Sequence, residues 1–474
     1  MAIEALGVTI MPEWFACEGI EAVLDRVQHL GATAIATSPY VMEVGSSDDG
    51  GREPPADGEA GKVRPLDRDL WGRRELWVRT APAFVHDRAR YEGLRYQPLP
   101  PTPLTFAQHD LIDRVCAAAA ARGIAVYLQV MAASPPGYRV QFAQGHIDDQ
   151  CFGPEGPAHR DRVDRNASLA SPHVAAYVAA LAAELAARFP GARGIRLDWP
   201  EYPPYDLRSA LFDFNPAMLA LLEQRGVDPV RLRTQVMAWT KGVCAAATAA
   251  AARGPAAVQT ALSSAEWDAL TTEHGSLAAL FAAKKAAARA LLAQVRVALD
   301  TVPGPRRRLE PQFFPPPFQH ISGGPLDALD GIADAIGIKL YTMHWPMLAR
   351  YWARDLIGNA DAARLDAVTA AVAALFGLTD GLDHDGRALR YPEPHEAHPA
   401  GAIAQHDKLL EARRIAGPIP VRAFVHSYGP CDDVVARYSI AARTGVPLWI
   451  NRYGYLSDAK ITALARVRAA PASR

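Results

Sequence analysis

The run Gly194-Ile195-Arg196-Leu197-Asp198-Trp199-Pro200-Glu201-Tyr202-Pro203-Pro204-Tyr205 decides how the rest of the chain is read. Its first five residues have the composition of a buried strand, and strand side chains alternate between two faces. Ile195 and Leu197 therefore point one way and Arg196 and Asp198 the other. If the apolar pair faces a layer of helices, the charged pair faces the inside of a barrel or the rim of a sheet. Charges in such a place are costly unless they pair or do chemistry. The strand then runs into acids and aromatic residues, which marks its end as a candidate site.

Outward from this strand the same rhythm recurs. Glu18 to Leu30 carries Ile20, Leu24 and Val27 on one stripe and stops at Gly31 ahead of Ala34 to Ser38. Leu111 to Arg122 stops at Gly123 ahead of Ala125 to Met131, and Pro172 to Arg188 stops at Pro190-Gly191 ahead of the acidic strand. A helix closed by glycine and followed by a short apolar run is the signature of βα repetition. Eight runs read as strands: Leu6 to Met11, Ala34 to Ser38, Ala125 to Met131, Gly194 to Asp198, Leu309 to Phe313, Ala335 to Met343, Arg422 to Ser427 and Pro447 to Asn451. Eight closes an α/β (β/α)8 TIM barrel; an open doubly wound sheet is the rival with the same rhythm.

Two segments exceed ordinary connections. Residues 44–103 are rich in Gly, Pro, Asp and Arg yet hold Trp71, Trp77, Phe84, Tyr91 and Tyr96, too aromatic for a disordered linker. They read as an extended loop after the second strand, over the active-site face. Residues 219–302 are mostly Ala, Leu, Arg and Glu, broken near Gly254 and Gly275, and read as a helical insertion between the fourth and fifth strands. The whole chain, 1–474, is expected to be a single barrel domain carrying both.

Bulk properties narrow the function. The 474 residues are 50% hydrophobic, enough for a large core. Fifty basic against 51 acidic residues, a formal net charge of -1, give no electrostatic reason for a nucleic acid or an anionic membrane as partner. No basic segment precedes an apolar run at the N-terminus, and apolar stretches stay short of the roughly 20 residues of a spanning helix, so a soluble, cytoplasmic protein is expected. Cys17, Cys116, Cys151, Cys244 and Cys431 are odd in number and lack metal-knuckle spacing, as expected of reduced thiols.

In a βα barrel the working residues sit where strands end. Those ends supply Glu13 and Trp14, Gln129, Asp198 and Glu201, Glu310 and Gln312, Lys339, Tyr341, His344 and Trp345, His426 and Tyr428, and Asn451, Arg452 and Tyr453. Polar groups mixed with Trp and Tyr fit a sugar site, where aromatic faces cover the C–H side of a ring and carboxylates or amides hold its hydroxyls. Arg196, Trp14, Tyr341, His344, Trp345, His426, Tyr428, Asn451, Arg452 and Tyr453 are accordingly the expected substrate contacts. Glycoside hydrolysis needs two carboxyl groups, and Asp198, Glu201 and Glu310 are the candidates. Arg196, next but one on the same face, offers Asp198 the fixed positive charge that suits a nucleophile; Glu310 or Glu201, nearer apolar neighbours, suits the acid. No cofactor and no metal are expected, and the substrate would be a small molecule or an oligosaccharide.

The run Gly194-Ile195-Arg196-Leu197-Asp198 resembles the fourth strand of α-amylase-type glycoside hydrolases, whose Gly-x-Arg-x-Asp ends in the nucleophile. That resemblance implies a Glu acid after the fifth strand, which Glu310 would match. The longer run is also similar to a strand of glycoside-hydrolase-like barrel proteins and to the Asp-Trp-Glu-Tyr-Pro of chitinase-type barrels, from which Pro200 departs by one residue. An amylase-type chain carries a His-Asp pair after the seventh strand, where Val425-His426-Ser427-Tyr428 has only the His. A chitinase-type chain carries an Asp beside the sixth-strand Tyr, where Tyr341-Thr342-Met343-His344 has none. The expected activity is thus that of a glycosidase of the general glycoside-hydrolase-like group, with no substrate implied.

Two other readings stay open. Lys339 on a barrel-facing position could form a Schiff base in an aldolase, isomerase or lyase, or His and acid side chains could hold a metal. His384, His395, His398 and His406 with Asp383, Asp385 and Glu393 show no ligand spacing and read as a solvated loop. The third reading is a sugar-binding barrel without turnover, supported by the missing seventh-strand Asp.

Overall fold

The computed structural model describes residues 6–56, 63–135, 146–157, 166–271, 275–380 and 386–469. Eight parallel strands close a barrel: β1 (Leu6–Thr9), β2 (Ala34–Thr37), β3 (Ala125–Met131), β4 (Gly194–Asp198), β5 (Arg308–Phe313), β6 (Ile336–Leu340), β7 (Val421–His426) and β8 (Leu448–Asn451). Each pairs with its neighbours in chain order, and β8 returns to β1 with Leu6 beside Leu448. The barrel thus replaces the open sheet, and all eight expected strands are present with ends shifted by a few residues.

Alternation sorts the side chains as the sequence requires. Ile195 and Leu197 of β4 are buried against the helices, while Arg196 lies level with Gln129 of β3 and Glu310 of β5. The barrel is filled by Ala34, Ala36, Tyr127, Phe424 and Trp449, a cluster separate from the outer core. Gly7 is needed here, because a Cβ at that position would overlap the Trp449 ring. Small residues on β1 and β2 thereby make room for the indole from β8.

Around the barrel stand Ile20–His29, Leu111–Ala121, Pro172–Arg188, Ala278–Asp300, Ala402–Ala416, Cys431–Arg443 and Asp458–Ala469. Gly31 and Gly123 end the first two of these in left-handed conformation, φ 77° and 69°. Ser171 caps the third by accepting from the Val174 N–H. Ala278–Asp300, inside the segment read as an insertion, packs on Pro172–Arg188 as neighbouring ring helices do. Pro229–Ala251 and Pro255–Leu262 pack instead on His344–Ile357 and Ala362–Leu375, so that excursions after β4 and β6 meet each other.

After β2 the chain forms a three-stranded antiparallel sheet, with Leu76–Pro82 between Tyr40–Val44 and Gly51–Glu53. Phe84, Tyr91 and Tyr96 of this segment are buried. Glu184 of a ring helix pins it by accepting from Tyr91 Oη at 2.5 Å and the Asp87 N–H at 2.6 Å, with His86 Nδ1 also at 2.6 Å. Among the described residues no helix is long and apolar enough to cross a membrane.

Candidate active site

Asp198, the last residue of β4, lies at the C-terminal mouth with its side chain 13% exposed. One carboxylate oxygen accepts the Trp199 N–H at 3.0 Å and lies 3.5 Å from the Lys339 ammonium. Trp199 holds φ at 58°, a left-handed conformation that costs an ordinary side chain about 1 to 2 kcal/mol. The strain turns the chain sharply off the strand end and leaves the indole half-buried beside the carboxylate. Ser38, Gln129, Tyr341, Asn451 and Arg452 are also half-buried at these strand ends. They come from the ends of β2, β3, β6 and β8 and converge as barrel geometry dictates.

Glu201 stands behind this surface with no exposure at all. Lys339 of β6 approaches it to 2.7 Å, the Phe314 N–H donates to both of its oxygens at 3.0 Å, and Ser322 Oγ donates at 2.8 Å. Burial pushes its pKa above the usual carboxylate value, while Lys339 and these donors pull it down. The Lys339 ammonium also lies over the rings of Phe314 (4.5 Å) and Trp199 (4.9 Å). Lys339 is therefore a cation bridging two carboxylates, enclosed by aromatic faces.

Glu310 is buried inside the barrel, one pleat deeper than Gln312, and meets Arg422 at 3.0 Å and Arg308 at 3.1 Å. Its partners are thus interior cations, and it stands away from the mouth where an acid opposite Asp198 would be needed. Arg196 also lies deep, its guanidinium 4.1 Å from the Trp449 ring centroid and 4.4 Å from that of Phe424. With its amide oriented to satisfy both neighbours, Gln312 accepts from Arg196 at 2.9 and 3.2 Å. Burial pushes Arg196 down to about 10, opposed by Glu310, Tyr341 and Asp198, so it remains a cation at neutral pH.

An aromatic and histidine wall flanks Asp198 on the β6 and β7 side. Tyr341 stands edge-on to His426 (5.4 Å) and His344 (6.1 Å), and His426 packs on Tyr455 (5.4 Å). His398 Nδ1 lies 2.7 Å from Thr342 Oγ1, and His426 Nδ1 accepts the Tyr428 N–H at 3.0 Å. Burial first, then nearby cations including Arg64 and Arg437, holds His398 and His426 well below the usual imidazole value. Both are neutral at physiological pH.

The remaining expected contacts lie further back. Trp14 and Tyr453 pack on each other at 5.6 Å, and the Tyr453 hydroxyl donates to Glu18 at 2.7 Å. Trp345 is buried beside Lys408 and Tyr428 donates to the Pro392 carbonyl at 2.9 Å, whereas Arg452 stays at the mouth, paired with buried Glu53. The structure thus brings Asp198, Tyr341, Asn451 and Arg452 to the mouth and keeps Arg196, Glu201, Glu310, Trp14, Trp345, His344, His426, Tyr428 and Tyr453 buried. Trp199 is not among the contacts expected from the sequence, although its place directly after the acidic strand end is a signal for it.

Of the histidine-rich segment, Asp383, His384 and Asp385 lie outside the described residues, while His395 is exposed and His406 half-buried. His398 departs from the solvated loop expected there, since its ring is buried against Thr342. Among the described residues no three His, Cys, Asp or Glu side chains are grouped as metal ligands.

No protein-family model and no curated protein matches this sequence. Among solved structures, a β-galactosidase from the psychrophilic Marinomonas ef1 superposes with a TM-score of 0.50 at 11% identity, over 98% of this chain and 59% of that one. The catalytic domain of a β-amylase from Paenibacillus polymyxa gives 0.48 at 10% identity, over 99% and 100%. This chain spans well under two thirds of the β-galactosidase, and at such identity the likeness concerns the fold. The fold is a closed (β/α)8 TIM barrel, the architecture it shares with that β-galactosidase.

Proposed function

We propose that this chain is a glycosidase that acts on a carbohydrate at the C-terminal mouth of the barrel, with Asp198 as the carboxylate that faces the substrate. The observation that carries the reading is the position of Asp198, partly exposed at the end of β4 with half-buried Trp199 and Tyr341 at the same rim. An oxocarbenium-like transition state gains from a fixed negative charge at the anomeric carbon. Aromatic faces on either side suit the C–H surface of a sugar, and Gln129 and Asn451 offer amides to its hydroxyls. Lys339 and Glu201 form the support behind Asp198: Glu201 anchors the ammonium and the ammonium fixes the carboxylate.

Asp198→Asn tests the reading, with turnover of a panel of aryl glycosides lost while the fold and sugar binding persist. A second reading, a sugar-binding barrel without turnover, has one observation in its favour. Glu201 and Glu310, the two expected partners of Asp198, are both buried in ion pairs with Lys339, Arg422 and Arg308. It requires saturable sugar binding by the wild type with no hydrolysis of any glycoside. The lyase or aldolase reading is weaker, because a Schiff base needs an amine free to attack and Lys339 Nζ is held 2.7 Å from Glu201 and 3.5 Å from Asp198.

A further inference from the structure

Among the described residues, seven of the eight βα units place a helix of ten residues or more in the outer ring; the fifth has only Phe318–Ser322 and a turn at Leu326–Ala328 between β5 and β6. The ring is left with a slot between Ala278–Asp300 and Ala402–Ala416. A groove of about 1150 Å³ occupies it, and none of its lining residues belongs to the mouth around Asp198. A helix with its side chains is about 10 Å across, so a cylinder of this volume runs ~15 Å, or roughly ten residues at 1.5 Å each. The slot has the capacity of a three-turn helix.

Its lining has the chemistry of a helix-binding groove. Ala282, Ala286, Pro317, Ile403 and Ile415 supply apolar surface, with Ile403 64% exposed. One wall carries Lys285 and Arg289; the other carries Asp407 and Glu411. The pairs Lys285 with Asp327 (2.6 Å) and Arg414 with Glu411 (2.7 Å) are solvent-facing, worth little, and exchange partners at small cost. We infer that this slot docks an amphipathic α-helix of a partner protein. Its apolar stripe lies in the groove, acidic residues flank it on the Lys285 and Arg289 side, and basic residues flank it on the Asp407 and Glu411 side. Such a helix completes the ring in trans, the helix-in-groove mode of recognition.

The test uses the full chain and a synthetic helical peptide of roughly twelve residues, with Leu at i, i+4 and i+7, Glu along one flank and Lys along the other. Binding is read by fluorescence anisotropy. Saturable binding is expected, weakened about tenfold or more by Ala282→Trp or Ala286→Trp, which fill the slot. Exchanging the Glu and Lys flanks weakens binding to the wild type, and Asp407→Lys with Glu411→Lys removes that preference. Ala282 is exposed, so its replacement leaves the fold intact, as circular dichroism verifies. Absence of binding, equal binding to the filled variants, or indifference to the flanks overturns the inference. None of these outcomes bears on Asp198.

Discussion

The ammonium of Lys339 lies 2.7 Å from an oxygen of Glu201, a carboxylate with no exposed surface. This contact joins β6 to the loop after β4 and sets the back of the mouth. Lys339→Met leaves the Glu201 charge buried without its cation, a change that costs about 3 to 5 kcal/mol. Urea denaturation is the measurement; a loss under about 1 kcal/mol, the scale of an exposed pair, contradicts the arrangement.

The same residue gives a pH signature. Burial raises Glu201 above its ordinary 4.5, so the folded chain binds its proton more tightly than the unfolded chain. That contribution to stability is complete below the ordinary value and is lost as pH rises through the raised folded value. Glu201→Gln removes this decline, so the difference in unfolding free energy between wild type and variant changes with pH above 4.5. A difference that does not change with pH refutes it.

Lys408 behaves in the opposite sense. Burial lowers it to about 7, and its ammonium donates to the Pro316 and Phe376 carbonyls at 2.8 and 2.7 Å. Here the unfolded chain binds the proton more tightly, so this contribution is complete above the ordinary 10.5 and is lost as pH falls toward 7. Relative to Lys408→Met, wild-type stability should climb as pH rises across that interval. Parallel curves would rule this out.

Trp199 at φ 58° separates strain from packing. Trp199→Gly and Trp199→Ala both remove the indole and both weaken sugar binding. The glycine variant is the more stable by about 1 kcal/mol, because only glycine takes this conformation freely. Calorimetry of the two variants side by side checks the order, and a more stable alanine variant contradicts it.

Inside the barrel, Gly7→Ala forces a methyl group against the Trp449 ring, an overpacking that costs about 1 to 3 kcal/mol. Chemical denaturation at constant pH measures the cost. A neutral substitution would mean that the β1 and β8 layer is looser than described.

The barrel was legible because parallel strands buried on both faces read as short apolar runs, and because Gly31 and Gly123 mark where helices stop. Asp198 was legible for a local reason, its alternation with Leu197 at a strand end. The fates of Glu201 and Glu310 were not, because Lys339 and Arg422, the cations that hold them, come from distant strands. Arg422 is 112 residues from Glu310, and Lys339 is 141 from Asp198. Only the closing of the barrel brings such pairs together, and no local pattern encodes which acid meets which cation. The short fifth unit, Phe318–Ser322 and Leu326–Ala328, carries no local signal and shows only against seven longer neighbours.

The most direct test of the account is the Asp198→Asn variant, with its initial rate on a panel of aryl glycosides, its sugar affinity and its melting temperature measured beside the wild type. The wild type is expected to turn over at least one glycoside, and the variant to melt and bind like it while hydrolysing none. Full activity in the variant would contradict it.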